Sequence, residues 1–365
     1  VRPAMTATAS ARPPIIDLHS HWFSPAAVEI LGQQPGAPRI ATATDGARAI
    51  HRAGPGSNGL PFALGEHWFD IDLRLKHLDA SGVAHQLISW PTTLGVDSLA
   101  NGTDWRPLWA AYNDDLSALV RAHPTRFSAV AALSTHDIAW SVKELERAHE
   151  KLGLIGAVLP VNGFFTSASA RAFAPLFEAA QRLGSHIYLH TGYASPAIPG
   201  QPPIVEHLDN AAARWVLDNA WHFASSVATL AFSDFLDPYP DVTVQVAMLG
   251  GSGLAALVAE QVEISAARSG ISDVRARFRN LWLDTGAAGN GPAAVAAAIR
   301  VLGADRVVFG SDFAPVPAIP PVIANIEAAV TSAEEAHAVF AGNARQLLAR
   351  FAIPGLDAAP QPALA

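Results

Sequence analysis

The chain has 365 residues, of which 50% are hydrophobic, and its formal net charge is -8 at pH 7. This acidic balance, which no Lys/Arg cluster offsets, disfavours a nucleic-acid partner. The absence of cysteine excludes disulfides and thiolate metal sites and is compatible with a reducing cytoplasm, which is the location we predict. No apolar run reaches the roughly 18 residues of a membrane-spanning helix, so no membrane partner is expected.

The two ends of the chain differ in composition from the region between them. Residues 1–14 read "VRPAMTATASARPP" and lack the apolar core of a signal peptide, so we predict a disordered leader. Residues 354–365 are rich in Ala and Pro and predict a tail. No composition break between these ends marks a linker, and the sequence therefore predicts one domain over residues 15–353.

Short β-rich runs alternate with Ala/Leu-rich stretches of helical spacing along this domain. The β-rich runs cover residues 15–21, 84–89, 128–134, 156–160, 186–191, 243–248, 281–286 and 307–312. Helical patterns lie between them, as in "DIDLRLKHLDASG" (70–82) and "DDLSALVRAH" (114–123). This alternation predicts a parallel sheet, and the number of units predicts a closed (β/α)8 TIM barrel. A doubly wound open sheet is the alternative, but no glycine fingerprint follows an early strand.

Four polar side chains stand where predicted strands end. His19 and His21 close the first run and share one face of the strand with Asp17, His190 lies in "IYLHTG", and Asp312 lies in "VFGSDF". Since the C-terminal strand ends of such a barrel meet at one mouth, these groups converge there. An unpaired carboxylate would be costly there, whereas one divalent cation satisfies all four. The sequence therefore predicts a metal site.

The motifs of the chain resemble those of amidohydrolases of the aminocarboxymuconate-semialdehyde decarboxylase group. They are "DLHSH", "RLKHLDASGVAHQLIS", "HPTRFSAVAAL", "HIYLHTG", "YPDVTVQVAMLGG" and "VVFGSDFAP", and the likeness covers residues 15–348. The resemblance implies a barrel enzyme with one divalent ion, usually Zn²⁺ and alternatively Mn²⁺. It also implies that His19, His21, His190 and Asp312 hold the metal and that Asp312 moves protons. Most such enzymes remove CO2 from aromatic or unsaturated acids, whereas others hydrolyse or hydrate them.

One position departs from this family pattern in a way that bears on the chemistry. Where relatives carry a histidine before the paired glycines after the sixth strand, this chain has Met248 in "VAMLGG". In the family that histidine polarises the metal-bound water or helps to transfer a proton. A thioether has no titratable proton, so hydrolysis by an activated water is the reaction that this change weakens most. The alternative interpretation is that Met248 fills apolar space.

The predicted mouth of the barrel is aromatic and lacks two arginines that relatives carry. Neither "GLAALVAEQVE" after the sixth strand nor "SSVATLAFSDF" before it contains a basic residue, which disfavours a di-acid substrate. We therefore predict a planar, apolar or aromatic small molecule as the ligand. The predicted substrate-binding residues are Trp22, Phe23, Trp90, Tyr193, Met248 and Phe313.

Two further residues are candidates for roles beside the metal. His222 in "DNAWHFASS" is predicted near the start of the helix after strand five, where it could supply the acid–base function absent at Met248. The alternative is that it caps a helix or faces solvent. Asp284 ends the seventh run and could orient a ligand histidine.

Taken with the departure at Met248, the resemblance implies a metal-dependent lyase, a non-oxidative decarboxylase of an aromatic or unsaturated acid. The alternatives are a hydrolase or hydratase of the same superfamily, or a tailoring, cyclase-like or non-catalytic barrel if Met248 marks changed chemistry. Since relatives commonly pair and the outer helices are rich in Ala and Leu, we also expect a homodimer.

Overall fold

The computed structural model describes residues 13–53, 61–99, 102–205, 209–286 and 291–356. Most of the predicted leader (1–14) and tail (354–365) therefore lies outside the described residues. The strands are β1 (Ile15–His21), β2 (Arg39–Thr42), β3 (Arg48–His51), β4 (Phe62–Leu64), β5 (Val83–Ser89), β6 (Phe127–Ala129), β7 (Ala131–Ala132), β8 (Gly156–Pro160), β9 (His186–His190), β10 (Thr243–Val246), β11 (Leu281–Asp284) and β12 (Val307–Val308).

Parallel strands form the walls of a barrel. The order β1-β5-β6 makes one sheet and β12-β11-β10-β9-β8-β7 makes the other. β6 and β7 are two halves of one barrel strand, because Val130 donates to Ile88 O at 3.1 Å on one side while Ala129 O accepts from Ile155 at 3.0 Å on the other. At the opposite seam, Leu18 N donates to Phe309 O at 2.9 Å. These bonds close the predicted (β/α)8 barrel, and the predicted strands are confirmed, each within a few residues.

Helices cover the outside of the barrel, and their ends follow local sequence. In the second helix, Asp70 accepts a hydrogen bond from Leu73 N at the start, and Gly82 adopts a left-handed conformation at the end. The helical segments are α1 (Pro25–Gly32), α2 (Ile71–Ser81), α3 (Arg106–Ala122), α4 (Ile138–Arg147), α5 (Ser167–Arg171), α6 (Ala174–Leu183), α7 (Ala211–Phe232), α8 (Met248–Ser252), α9 (Leu254–Ile264), α10 (Ala266–Ser269), α11 (Val274–Arg277), α12 (Pro292–Leu302), α13 (Ile319–Glu327), α14 (Ala333–His337) and α15 (Asn343–Leu348).

One element of the fold is absent from the sequence predictions. Between β1 and α2, the antiparallel strands β2, β3 and β4 form a small separate sheet. Its strands are only three or four residues long and partly exposed, so they lack the long apolar runs that mark the barrel strands. Among the described residues, no helix combines the length and the apolar character needed to cross a membrane.

A buried carboxylate joins the first barrel strand to the end of the eighth. Asp17 accepts hydrogen bonds from Ser311 Oγ at 2.5 Å, Ser311 N at 3.0 Å and Gln86 Nε2 at 2.7 Å. Gln86 in turn accepts a hydrogen bond from the buried guanidinium of Arg74 at 2.8 Å. Burial raises the pKa of Asp17, which these hydrogen bonds partly oppose. Asp17, Gln86, Arg74 and Ser311, here called the Asp17 network, thus link two strands below the barrel mouth.

Candidate metal centre

The four predicted ligands meet at the C-terminal mouth of the barrel. His19 and His21 lie at the end of β1, His190 ends β9, and Asp312 follows β12. One ligand atom from each lies within 4.8 Å of the others, and all four residues are buried. Asp312 has a positive φ of 59°, an uncommon conformation for a residue with a Cβ. We call these residues the ligand group.

Each histidine of the ligand group has its Nδ1 atom engaged away from the centre. His19 Nδ1 lies 2.9 Å from Asp284 Oδ1, and His21 Nδ1 lies 3.2 Å from the carbonyl oxygen of Ser89. His190 Nδ1 lies 3.0 Å from the Thr92 hydroxyl, which itself donates to a backbone carbonyl at 2.6 Å and so accepts from the imidazole. These acceptors place the proton on Nδ1 and leave each Nε2 lone pair for a metal.

The remaining atoms of the ligand group fit a cation. The Nε2 atoms of His19 and His21 are buried without a hydrogen-bond partner, although they lie 3.2 and 3.4 Å from Asp312 Oδ1. A lone pair held against a carboxylate oxygen is unfavourable unless a positive charge lies between them. Three imidazoles and one carboxylate are ligands that zinc and manganese both accept. The residues present therefore fit a divalent metal.

The electrostatics of the ligand group favour positive charge. Burial alone lowers the pKa of His19, but the carboxylates of Asp284 and Asp312 outweigh burial and raise it to about 10. Burial would raise the pKa of Asp312, yet the charges of His19 and His21 hold it well below its usual range. Burial and the two neighbouring imidazoles lower the pKa of His190. At neutral pH the site thus presents an ionised carboxylate that attracts a cation.

Asp284 ends the seventh barrel strand, β11, as predicted, and its carboxylate contacts residues of β1, β10 and α8. Its Oδ1 accepts from His19 Nδ1 at 2.9 Å and from Met248 N at 3.1 Å, and its Oδ2 accepts from Gln245 Nε2 at 2.7 Å. The carbonyl of Gln245 lies 3.1 Å from His186 Nε2, deeper in the barrel. Asp284, Gln245, His186 and His19 are called the Asp284 network.

Met248 starts an unusual turn after the sixth barrel strand. Met248, Leu249 and Ser252 all have positive φ values of 52–56°, and Gly250 and Gly251 between them are also left-handed. α8 is therefore a left-handed turn, which costs roughly 1–2 kcal/mol for each residue that has a Cβ. The Met248 sulfur lies 3.6 Å from the Thr191 hydroxyl, next to the ligand His190. The turn thus directs a non-titratable side chain toward the mouth.

The six predicted substrate-binding residues divide into two sets. Trp90 and Tyr193 line a cavity at the mouth, and Met248 lies beside Thr191. Three other aromatic residues do not line this cavity and pack against protein: Trp22 donates to Phe69 O, Phe23 stacks on Trp68, and Phe313 stacks on His77 and contacts Arg74. Their immediate contacts are those of packing residues.

His222 lies in the middle of α7, and the prediction that it stands near the start of this helix is wrong. The helix begins earlier, at Ala211, because the side chain of Asn210 accepts a hydrogen bond from Ala213 N. His222 nevertheless reaches the mouth, where its Nδ1 lies 3.4 Å from Asn162 Nδ2 and its ring is 5.8 Å from that of Tyr193. Burial lowers the pKa of His222.

Sequence reasoning missed several residues around the site. Thr92 fixes His190, Gln245 supports Asp284, and Asp97 lies in the wall of the mouth cavity. Gln245 could have been found, since it is a polar residue inside the apolar run "TVQVAM", where a buried amide needs a partner. Thr92 and Asp97 lie in a loop and carry no comparable signal.

The family of the chain follows from comparison with known proteins. An amidohydrolase family model matches residues 91–350, which is more than half of the chain, so the chain belongs to the amidohydrolase family. The matched range includes His190, Asp284 and Asp312, whereas His19 and His21 precede it. This result confirms the resemblance that the motifs indicated.

Among individual relatives, the gamma-resorcylate decarboxylase of Polaromonas sp. (strain JS666) is 30% identical over 193 residues, which cover 49% of this chain and 55% of that protein. The chain spans 55–61% of the length of the first curated relatives that it matches. A solved structure of 2,6-dihydroxybenzoate decarboxylase from Rhizobium superposes with a TM-score of 0.65 at 20% identity, covering 92% of this chain and 98% of that one.

A dihydroxybenzoic acid decarboxylase structure from Polaromonas sp. JS666 contains manganese and the inhibitor 2-nitroresorcinol. It superposes with a TM-score of 0.62 at 21% identity, and the match covers 92% of this chain and 96% of that one. At this level of identity, the structural matches establish the shared barrel fold.

Proposed function

We propose that this chain is a metal-dependent, non-oxidative decarboxylase of an aromatic carboxylic acid. The observation that carries the proposal is that one ligand atom from each of three histidines and from Asp312 lies within 4.8 Å of the others at the mouth of the barrel. Curated relatives named as gamma-resorcylate decarboxylases support the reaction type. A hydrolase is the weaker candidate, because Met248 provides no base for an activated water.

Each residue of the centre has a task in this reaction. His19, His21, His190 and Asp312 would hold a divalent cation, which supplies a Lewis acid for the oxygens of the substrate. Asp284, Thr92 and the Ser89 carbonyl keep the imidazoles oriented. Overall, the ring carbon gains a proton, its bond to the carboxylate carbon breaks, and that electron pair returns to the ring as CO2 leaves. Asp312, ionised at neutral pH, would first accept the proton of a ring hydroxyl of the substrate and then deliver that proton to the ring carbon.

The proposed substrate is a hydroxylated aromatic acid. The mouth presents the aromatic rings of Trp90 and Tyr193 and the thioether of Met248, which suit a planar ring. A solved structure of a 2,6-dihydroxybenzoate decarboxylase contains 2,6-dihydroxybenzoate, a planar molecule of this kind. We assign ring contacts to Trp90, Tyr193 and Met248 and treat Trp22, Phe23 and Phe313 as packing residues.

The identity of the metal and the role of His222 belong to the same proposal. Both Zn²⁺ and Mn²⁺ suit the ligand set, and manganese is present in the Polaromonas structure. His222 is proposed as an auxiliary proton donor or acceptor at the rim, because it is buried beside Tyr193. If so, His222→Gln lowers kcat without changing the metal content.

The test is CO2 release by purified protein loaded with Zn²⁺ or Mn²⁺, assayed with 2-hydroxybenzoate and dihydroxybenzoates. We expect about one metal per chain and turnover that disappears after chelation. Asp312→Asn should abolish turnover even when metal is retained, because an amide can neither accept nor release a proton at neutral pH. Asp305→Asn, which changes an exposed carboxylate paired with Arg306, is the matched control and should leave the rate unchanged.

Two results would refute the proposal. One is a protein that binds no metal after growth with zinc or manganese. The other is metal-loaded protein that releases no CO2 from any aromatic acid but hydrolyses activated esters or lactones.

We further propose that residues 15–353 act as one cytoplasmic barrel domain and that the chain forms a homodimer. Exposed apolar side chains on α7 and α9, among them Trp215, Leu217 and Leu257, support association because such residues are unfavourable in water. Light scattering at micromolar concentration should give twice the mass of one chain, and a monomer would overturn this proposal.

A further inference from the structure

A small cavity lies in the mouth next to the ligand group and is distinct from it. Its volume is about 10 Å³, which is room for one water-sized group. Leu133 and Pro160 contribute apolar wall, and Thr92 belongs both to this wall and to the hydrogen bond with His190. Thr92 therefore connects the wall of the cavity to a metal ligand.

Two polar residues of the cavity wall each have a buried atom without a hydrogen-bond partner. These atoms are Asp97 Oδ1 and Trp109 Nε1. The first is an acceptor and the second is a donor, and Asp97 and Trp109 are only 9% and 2% exposed. Buried polar atoms are costly when unsatisfied, so such a pair in a binding cleft indicates a missing ligand group. A hydroxyl both donates and accepts one hydrogen bond, and it fits this volume.

Asp97 lies beside a neighbouring loop of the mouth. Thr135 is close enough to its carboxylate to oppose the effect of burial on its pKa, and Thr135 Oγ1 accepts a hydrogen bond from Ser195 N at 2.7 Å. Asp97 is thus next to a contact between the loops after the third and fifth barrel strands. Burial raises the pKa of Asp97 to about 7, against the opposing effect of Thr135. A hydrogen-bond donor that reaches the unpaired Asp97 oxygen would favour the ionised form of this carboxyl group.

We propose that Asp97 and Trp109 form a subsite that recognises one ring hydroxyl of the aromatic acid. This inference rests on the proposed function, which places the acid group of the substrate at the ligand group. The hydroxyl donates to Asp97 Oδ1 and accepts from Trp109 Nε1, while the ring remains outside the small cavity. Asp97 then selects among substitution patterns, because only a ring position that points away from the metal can deliver the hydroxyl.

The test measures binding to metal-loaded protein by calorimetry, so it requires no turnover. The ligands are 2-hydroxybenzoate, its four monohydroxylated derivatives and the corresponding methyl ethers, which cannot donate a hydrogen bond. Wild-type protein should bind one dihydroxybenzoate at least tenfold more tightly than its methyl ether and more tightly than 2-hydroxybenzoate. Asp97→Asn and Trp109→Phe should each remove most of this preference and leave the Kd of 2-hydroxybenzoate unchanged.

Asp104→Asn is the matched control, since Asp104 is an exposed carboxylate near the same loop and pairs with Arg106. It should keep the full preference. The two substitutions in the cavity remove different atoms, so one folded variant suffices for the test. Equal binding of all derivatives by wild type, or a preference that survives in a folded variant, would mean that the cavity holds only a structural water and would overturn the proposal. A preference without CO2 release would refute the decarboxylase and retain the subsite.

Discussion

The Asp17 and Asp284 networks have the same pattern of hydrogen bonds but different roles: the first stabilises the fold and the second orients a ligand histidine. In each, a fully buried aspartate accepts a hydrogen bond of 2.7 Å from a glutamine of a neighbouring strand, Gln86 or Gln245. Each glutamine then contacts a basic side chain, Arg74 in one case and His186 in the other. The same pattern of a carboxylate, an amide and a base therefore occurs on both sides of the barrel.

The difference lies in how each aspartate meets His19. Asp17 accepts from the backbone N–H of His19 at 3.1 Å, whereas Asp284 binds its imidazole Nδ1 at 2.9 Å. Asp17 also binds Ser311, so it holds two strands together, while Asp284 fixes a tautomer and the backbone of Met248. A buried carboxylate near a metal site thus stabilises either the fold or a ligand, according to which atom of the ligand residue it contacts.

The largest expected effect is a loss of folding stability when the Asp17 network is broken. Asp17→Ala should lower the free energy of unfolding by about 3–5 kcal/mol, because Gln86 and Ser311 lose their acceptor and the buried guanidinium of Arg74 loses its favourable charge interaction with Asp17. Urea unfolding measures this loss. The metal content of the folded fraction should stay at the wild-type level, and a variant that unfolds normally but binds no metal would reverse the roles of the networks.

The pH dependence of folding stability should distinguish His186 of the Asp284 network from Arg74 of the Asp17 network, because only the imidazole titrates between pH 4 and 6.5. Burial lowers the pKa of His186 to about 4, whereas the unfolded chain takes up this proton near pH 6.5. The unfolded state therefore binds more protons between these values, and stability falls as pH drops from 6.5 toward 4, by up to about 3 kcal/mol. In His186→Gln, urea midpoints should fall less over this range, whereas the exposed His337→Gln should follow wild type. Parallel curves for all three proteins would exclude this role for His186.

Asp284→Asn should affect the metal more than the fold. Loss of the carboxylate weakens the orientation of His19, and such changes beside metal ligands typically cost about 10–100-fold in metal affinity. The amide keeps the size of the side chain, so the free energy of unfolding of the metal-free protein should change by less than for Asp17→Ala. Competition with a chelator measures the affinity. An unchanged metal Kd would show that His19 needs no support from Asp284.

The smallest expected effect is that of Met248→His. If the chemistry does not need a base at this position, the substitution should leave turnover of the native substrate equal or lower. The left-handed backbone at Met248 accepts histidine, and Asp284 still holds the backbone N–H. Slow hydrolysis of activated esters could appear, since an imidazole can act as a base. A tenfold gain with the native substrate, equivalent to about 1.4 kcal/mol of barrier, would contradict altered chemistry.

Much of the site could be predicted from local sequence because its parts lie at strand ends. The apolar runs predict the barrel strands, and the position of His19, His21, His190 and Asp312 in those runs predicts one shared mouth. The small sheet of β2–β4 and the true start of α7 escaped prediction. Both depend on short-range features, such as the side-chain cap of Asn210, that a coarse apolar pattern does not register.

The sequence by itself thus determined the barrel, the ligand group and the absence of a histidine at Met248, since each is visible in the order and period of residues. Only the tertiary structure decided which aspartate binds the imidazole of His19, because Asp284 lies 265 residues away in the chain and their contact depends on strand register and rotamer. The same holds for Asp97 and Trp109, which become a subsite only where α3 and the loop after β5 meet over the same cavity. Hydrogen bonds between distant residues require angstrom-level placement that periodicity does not encode.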